Sequence, residues 1–162
     1  MDAVIAELSA GFSDTTDLLR AIVRLLVAML CGAVVGLQRE QMGKPAGLRT
    51  HMLVATATAL FIIAGADAGM AHEQLSRVIQ GIVTGIGFLG AGAILKLDRE
   101  REITGLTTAA GIWMTAAVGV AAGLGRLGTA LASAALAWTI LALVGRLESG
   151  HQARGARHDD GE

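Results

Sequence analysis

The 162-residue chain is poor in the residues that build most site chemistry. It has one cysteine, Cys31, set in an apolar run. A single thiol excludes an internal disulfide and any cluster held by several thiolates, and leaves packing as its role. Proline also occurs once, at Pro45, inside the polar stretch 38–49 that reads as a loop. Aromatic residues make up 3% of the chain and charged residues 17%, and the basic ones are scattered instead of forming a stripe, which argues against nucleic acid as a partner. None of the fourteen acidic residues lies deep in an apolar run, and only Asp67, at the end of one, comes close. Magnesium and calcium want oxygen ligands, usually including carboxylates, and proton-coupled carriers usually hold an intramembrane acid. A carrier of that kind is therefore disfavoured, and no metal site or cofactor is expected; magnesium is an ion that could matter, without intramembrane carboxylates to support it. Ser-His-Asp and Cys-His arrangements, HExxH and the Walker A motif are all missing, so no enzyme is expected. Residues 1–17 carry Asp2, Glu7, Asp14 and Asp17 with no lysine or arginine, unlike the basic start of a cleaved signal peptide.

What the chain has in quantity is apolar residues, 53% of the total, and 22 glycines, with a mean hydropathy of +0.58. That balance predicts an all-α, polytopic, integral membrane helical bundle. Apolar runs place five transmembrane spans at about 18–37, 50–66, 78–97, 106–123 and 127–144. Fusing the last two into one broken helix would give four. Before them lies the acidic segment 1–17, in which Val4, Ile5, Leu8 and Phe12 have the spacing of a short amphipathic interfacial helix. Beyond the transmembrane domain, 18–146, the polar tail 147–162 reads as disordered. With five spans, Arg39, Lys44, Arg49, Lys96, Arg99, Arg101, Arg146, Arg154 and Arg157 fall on one side, nine of the thirteen basic residues. The positive-inside rule then puts the amino terminus outside and the carboxyl terminus in the cytoplasm.

The most unusual stretch is Gln80 to Leu95, QGIVTGIGFLGAGAIL, where Gly85-Ile-Gly87-Phe-Leu-Gly90 spells the dinucleotide fingerprint G-x-G-x-x-G. That motif needs a strand before it and an acid about 20 residues after it; here it sits inside an apolar run, which reads as a membrane helix. On a helical wheel Gly81, Gly85, Phe88 and Gly92 share one face and Ile82, Ile86 and Leu89 the opposite one. The glycine face is expected to pack on protein and the other on lipid, making this span the packing centre of the bundle. Gly32 with Gly36, Gly119 with Gly123, and the line Thr108, Gly111, Thr115, Gly119 suggest the same close packing in the first and fourth spans.

The polar candidates lie at span ends. Arg20 and Arg24 open the first span and suit snorkelling to headgroups, or an ion pair with Asp17, Asp67 or Glu73, Arg24 with Asp67 being the external pair singled out. Thr50 is placed to cap the second span, and Thr104 or Thr107 the fourth. Lys44, Arg49, Thr50 and His51 gather cationic and hydroxyl groups at a helix start, which suits a phosphate or an anionic lipid headgroup as well as orientation of the chain. Arg77 and Gln80 stand at the entrance of the third span, where an amide bridges helices or binds a ligand.

Together these stretches resemble the MgtC/SapB family of bacterial inner-membrane proteins. The resemblance rests on Gly32-x-x-x-Gly36-Leu-x-Arg39-Glu40, on Gly43-Lys-Pro45-Ala-Gly47-Leu-Arg49-Thr50-His51, on Arg77-x-x-Gln80 leading into Gly85-Ile-Gly87-Phe88-Leu-Gly90-Ala-Gly92, and on Gly105-Leu-Thr107-Thr108-Ala-Ala110 with Trp113. It implies a multi-pass protein of the bacterial cytoplasmic membrane linked to magnesium limitation and, in pathogens, to survival inside host cells. It also implies contact with membrane partners such as the proton-translocating ATP synthase, in a form without the soluble carboxyl-terminal domain of longer members. The expected function is that of a non-enzymatic membrane protein acting through helix contacts, as a homo-oligomer among membrane lipids. The alternatives are a magnesium or other cation pathway, and a sensor of anionic lipid or phosphate at Lys44, Arg49 and His51.

Overall fold

The computed structural model describes residues 15–96 and 103–159, with side-chain environments for 15–94 and 104–143. The acidic segment with Val4, Ile5, Leu8 and Phe12, and the charged stretch 97–102, lie outside the described residues. Five helices follow one another: α1 (Thr15–Gln41), α2 (Leu48–Asp67), α3 (His72–Gly92), α4 (Leu106–Gly123) and α5 (Leu127–Asp159). Between α3 and α4, β1 (Leu95–Lys96) pairs antiparallel with β2 (Ile103–Thr104), Leu95 opposite Thr104 and Lys96 opposite Ile103. The protein is thus an all-α, polytopic membrane bundle with one two-residue β pair among its described residues. Helices α1 to α4 are each long and apolar enough to cross a membrane, and the apolar part of α5, Leu127–Leu143, is shorter.

Local chemistry sets the boundaries, and several differ from the sequence expectation. Thr50 does not cap α2. The helix starts two residues earlier behind Gly47, and its first free amide, Leu48 N–H, donates to Glu40 Oε2 at 2.8 Å. The cap therefore comes from the end of the preceding helix. Helix α3 starts at His72, ahead of the apolar run, because Gln74 Oε1 accepts the Ala71 N–H at 2.8 Å and closes the first turn. It ends at Gly92, not 97, and Leu95 and Lys96 leave it for the β pair. Neither Thr104 nor Thr107 caps α4. Gly105 precedes it at φ 92°, where a side chain would run into the Ala93 carbonyl.

The last two runs are separate helices. Gly125, at φ 77°, breaks them, with its N–H on the Ala122 carbonyl at 2.9 Å and the Arg126 N–H on Ala121 at 2.9 Å. Helix α5 then continues to Asp159 through the stretch whose polarity reads as a disordered tail. Propagation adds a hydrogen bond for each residue fixed, and Glu148, Gln152, Ala153, Arg154 and Ala156 are good helix formers.

The bundle holds together on small side chains. Ala28 and Cys31 of α1, Ala55 and Ala59 of α2, Val118 and Ala122 of α4, and Ala130 and Ala134 of α5 form one buried cluster. Small residues let helix backbones approach, which matters where lipid is as apolar as leucine and gives no hydrophobic drive for association. At Gly119 an added Cβ would overlap the Thr58 hydroxyl and the Ala55 carbonyl, so α2 and α4 touch there backbone to backbone. A second cluster, Val54, Ile86, Ile112 and Ala116 with Ala46 from the α1–α2 loop, ties α3 to the rest. Large apolar side chains such as Leu30, Leu53, Phe61 and Leu136 point outward, as a lipid-facing surface requires.

Candidate functional site

Three helices meet at a buried polar junction. Arg39 lies in the last turn of α1, 3% exposed, and its Nη2 donates to Thr108 Oγ1 of α4 at 2.6 Å. His51, in the first turn of α2, is completely buried, and its Nδ1 is 2.7 Å from Thr115 Oγ1 of α4. Thr115 in turn donates to the Gly111 carbonyl at 2.9 Å. With that hydroxyl proton committed, His51 Nδ1 is the donor of the pair. Gln38 is buried beside Arg39, and its Nε2 donates to Met42 Sδ at 3.0 Å.

Glycines bring the backbone that carries the imidazole close against α1. A Cβ on Gly32 would stand 2.5 Å from the His51 carbonyl oxygen, and one on Gly36 would stand 2.7 Å from Leu48 Cα and 3.0 Å from His51 Cβ. Across the junction, a Cβ on Gly111 would lie 3.6 Å from His51 Cε1. The first turn of α2 is seated in a cradle that any side chain on α1 would fill.

Among the described residues, three buried side-chain atoms have no side-chain or backbone hydrogen bond of good geometry: Gln38 Oε1, Arg39 Nε and His51 Nε2. The groups gathered here are a guanidinium, an imidazole, an amide and two hydroxyls, with no carboxylate in their hydrogen bonds. Among the described residues no three of His, Cys, Asp or Glu come together. Such a set suits cross-linking of helices or contact with an acceptor, not a hard cation that wants several oxygens.

The remaining candidates are dispersed. Lys44 and Arg49 are exposed and Thr50 half-buried, so the loop cations do not join His51 in one site. Glu40 is taken up by the cap on Leu48. Arg77 and Gln80 are exposed. The ion pair between Arg24 and Asp67 is absent. Arg24 Nη1 donates to the Gly123 carbonyl at 3.2 Å, at the negative end of α4, and its guanidinium covers Gly125. Arg20 pairs with Asp17 at 3.0 Å on the surface.

The expected faces of α3 are reversed within the chain. Ile86 and Gly90 are its buried residues, whereas a Cβ on Gly81, Gly85 or Gly92 meets nothing within 4 Å and Phe88 is 82% exposed. The bundle has only one flank to offer α3, and packing of Ile86 against Val54, Ile112 and Ala116 brings more contact than bare glycine does. The α2–α3 contact is open, forming an apolar groove of about 520 Å³ whose walls include Leu53, Ala57 and Phe61 of α2 and Gly81, Gly85 and Leu89 of α3.

Gln38 is the junction residue that the sequence reading passed over. The buried positions Ala28, Cys31, Gly32, Val35 and Gly36 continue at helical spacing into Gln38 and Arg39. That register was the available signal.

Comparison with known proteins fits this architecture. The profile of the MgtC family matches residues 25–150. Protein SrpB of Synechococcus elongatus is 49% identical over 113 residues, covering 63% of this chain and 62% of its own length. YhiD of Escherichia coli K12, a proposed magnesium transporter by its name, is 46% identical over 111 residues, covering 64% of this chain and 51% of YhiD. Protein MgtC of Salmonella typhimurium is 44% identical over 112 residues, covering 69% of this chain and 47% of that protein. The matched region thus spans about half to three-fifths of the length of these relatives. No solved structure matches.

Proposed function

This chain belongs to the MgtC family, and on that premise we propose that it is a non-enzymatic protein of the bacterial cytoplasmic membrane that serves magnesium-related stress adaptation through helix contacts with membrane partners. The observation that carries the reading is the outward side of α3. Gln80, Thr84, Gly87 and Ala91 recur at helical spacing, all are exposed, and Phe88 projects beside them. Lipid gives an amide and small residues little to bind. A neighbouring helix gives close backbone packing and a partner for the amide. The candidate partners are a second copy of this chain and, by family resemblance, the ATP synthase. The magnesium link comes from the family and from the name of YhiD.

A host lacking its own family member tests the reading. The full chain should restore growth under magnesium limitation, and a photo-crosslinker at Phe88 should capture a membrane protein. Gly87→Leu, which blocks the outward face without touching the bundle, should lose both. Full complementation by Gly87→Leu with no crosslink from Phe88 would sink the proposal. A second reading, a magnesium pathway, draws on the name of YhiD. Protein-dependent magnesium flux into dye-loaded liposomes would favour it over the first.

A further inference from the structure

The geometry points to an anionic phospholipid at the α2–α3 groove, with an acyl chain lying between the helices and its phosphate at Arg49. The groove is built for hydrocarbon. Thr58, its one hydroxyl-bearing lining residue, turns its Oγ1 to the carbonyls of Val54 and Ala55 at 2.9 and 3.1 Å, so the walls present no free polar group. One end is shut, because Gly65 of α2 meets Leu75 and Val78 of α3, where a Cβ would come within 2.9 Å of Leu75. The other end of the groove is lined by Leu53 of α2 and Leu89 of α3, on the side of the start of α2.

Helical register puts the charge at that end. Thr50, Val54, Ala57 and Phe61 share one stripe of α2. Thr50 thus continues the groove towards the helix start, with exposed Arg49 beside it. From Leu53 to Phe61 the groove extends about 12 Å along the helix axis, and Arg49 lies about 6 Å further on. That reach matches one leaflet, roughly 15 Å of hydrocarbon before the headgroups begin. Exposed Lys44 belongs to the same end, where, among the described residues, the acid Glu40 is held on the Leu48 N–H. The shut end instead carries Asp67 and Glu73 with Arg77. Among the described residues, a phosphate therefore finds net positive charge at the α2-start end of the groove.

The outward side of α3 used by the proposed function is a different face, so the two ideas stand or fall separately. The test is native mass spectrometry of the full chain, purified in mild detergent and offered phosphatidylglycerol or phosphatidylcholine with identical acyl chains. The native chain should retain phosphatidylglycerol about five-fold over phosphatidylcholine, the contribution of one surface cation. Arg49→Gln, an exposed change that spares the fold, should erase the preference. Gly85→Leu fills the groove, where an added Cβ meets nothing within 4 Å, and should lower retention of both lipids. Exposed Ala57→Phe does the same from the other wall if Gly85→Leu fails to fold by circular dichroism. Equal retention of both lipids by the native chain, or an unchanged preference in Arg49→Gln, overturns the proposal. So does a native dimer that Gly85→Leu dissociates without loss of lipid, since a second copy would then be the occupant.

Discussion

His51 and Thr115, 64 residues apart in sequence, meet at 2.7 Å and join the first turn of α2 to the middle of α4 inside the bundle. The ring has no other side-chain partner, since Nε2 is already unpartnered. Removing the hydroxyl therefore leaves a fully buried imidazole without its side-chain hydrogen bond, which is costlier than losing an ordinary surface bond.

Thr115→Val is expected to lower stability by about 1–2 kcal/mol, a range set by buried hydrogen bonds in water and in membranes. Thr115→Ser keeps the hydroxyl and should stay close to the native protein. Thermal unfolding in detergent, followed by helical circular dichroism, compares the two.

Two glycines that look alike in sequence should respond in opposite ways. Gly119→Ala forces a methyl into the Thr58 hydroxyl and the Ala55 carbonyl and should destabilise by about 2 kcal/mol or more, as overpacking does. Gly85→Ala enters open space and should stabilise α3 by about 0.5–1 kcal/mol through helix propensity. Equal effects of the two in the same melting experiment would contradict the packing described for α2 and α4.

Arg24→Gln removes a charged donor from the carbonyl end of α4 and should destabilise by about 1 kcal/mol. Asp67→Asn should leave the melting midpoint where it is, because Asp67 is exposed and does not meet Arg24. A double mutant that matches Arg24→Gln alone would verify that the two residues are uncoupled.

Glu40→Ala frees the Leu48 amide and should fray the first turn of α2, at a cost of about 1 kcal/mol. Hydrogen exchange at Leu48 and Arg49 should quicken while exchange in the middle of α2 stays slow. Glu40→Gln retains an acceptor and should show a smaller effect.

The parts of the fold legible in the sequence were those governed by composition and by short-range pattern. The spans of α1, α2 and α4 and the start of α5 followed from apolar runs, and the family from four ordered motifs, because both signals reside in neighbouring residues. Helix ends were less legible. Glu40 caps α2 from the previous helix, eight residues away, and Gly105 enters α4 through its positive φ, so neither helix start depends on a threonine hydroxyl. Of the site, Arg39, His51, Thr108 and Thr115 stood out as polar residues near span ends or on a helix face. Their pairing, Arg39 with Thr108 and His51 with Thr115, did not.

Helix α3 divides the two kinds of information most clearly. Its sequence determined a two-sided helix, glycines on one side and isoleucines on the other, since a wheel needs only local spacing. Which side meets the bundle was decided by the shape of the neighbours. Val54, Ile112 and Ala116 leave a recess that Ile86 fills, and that choice turns Gly81 and Gly85 to the groove and Gly87 to the membrane. The sequence by itself thus determined a membrane bundle of small-residue helices and its family. Only the tertiary structure decided which polar groups are buried together and which apolar face is left open, because both depend on contacts between residues far apart in the chain.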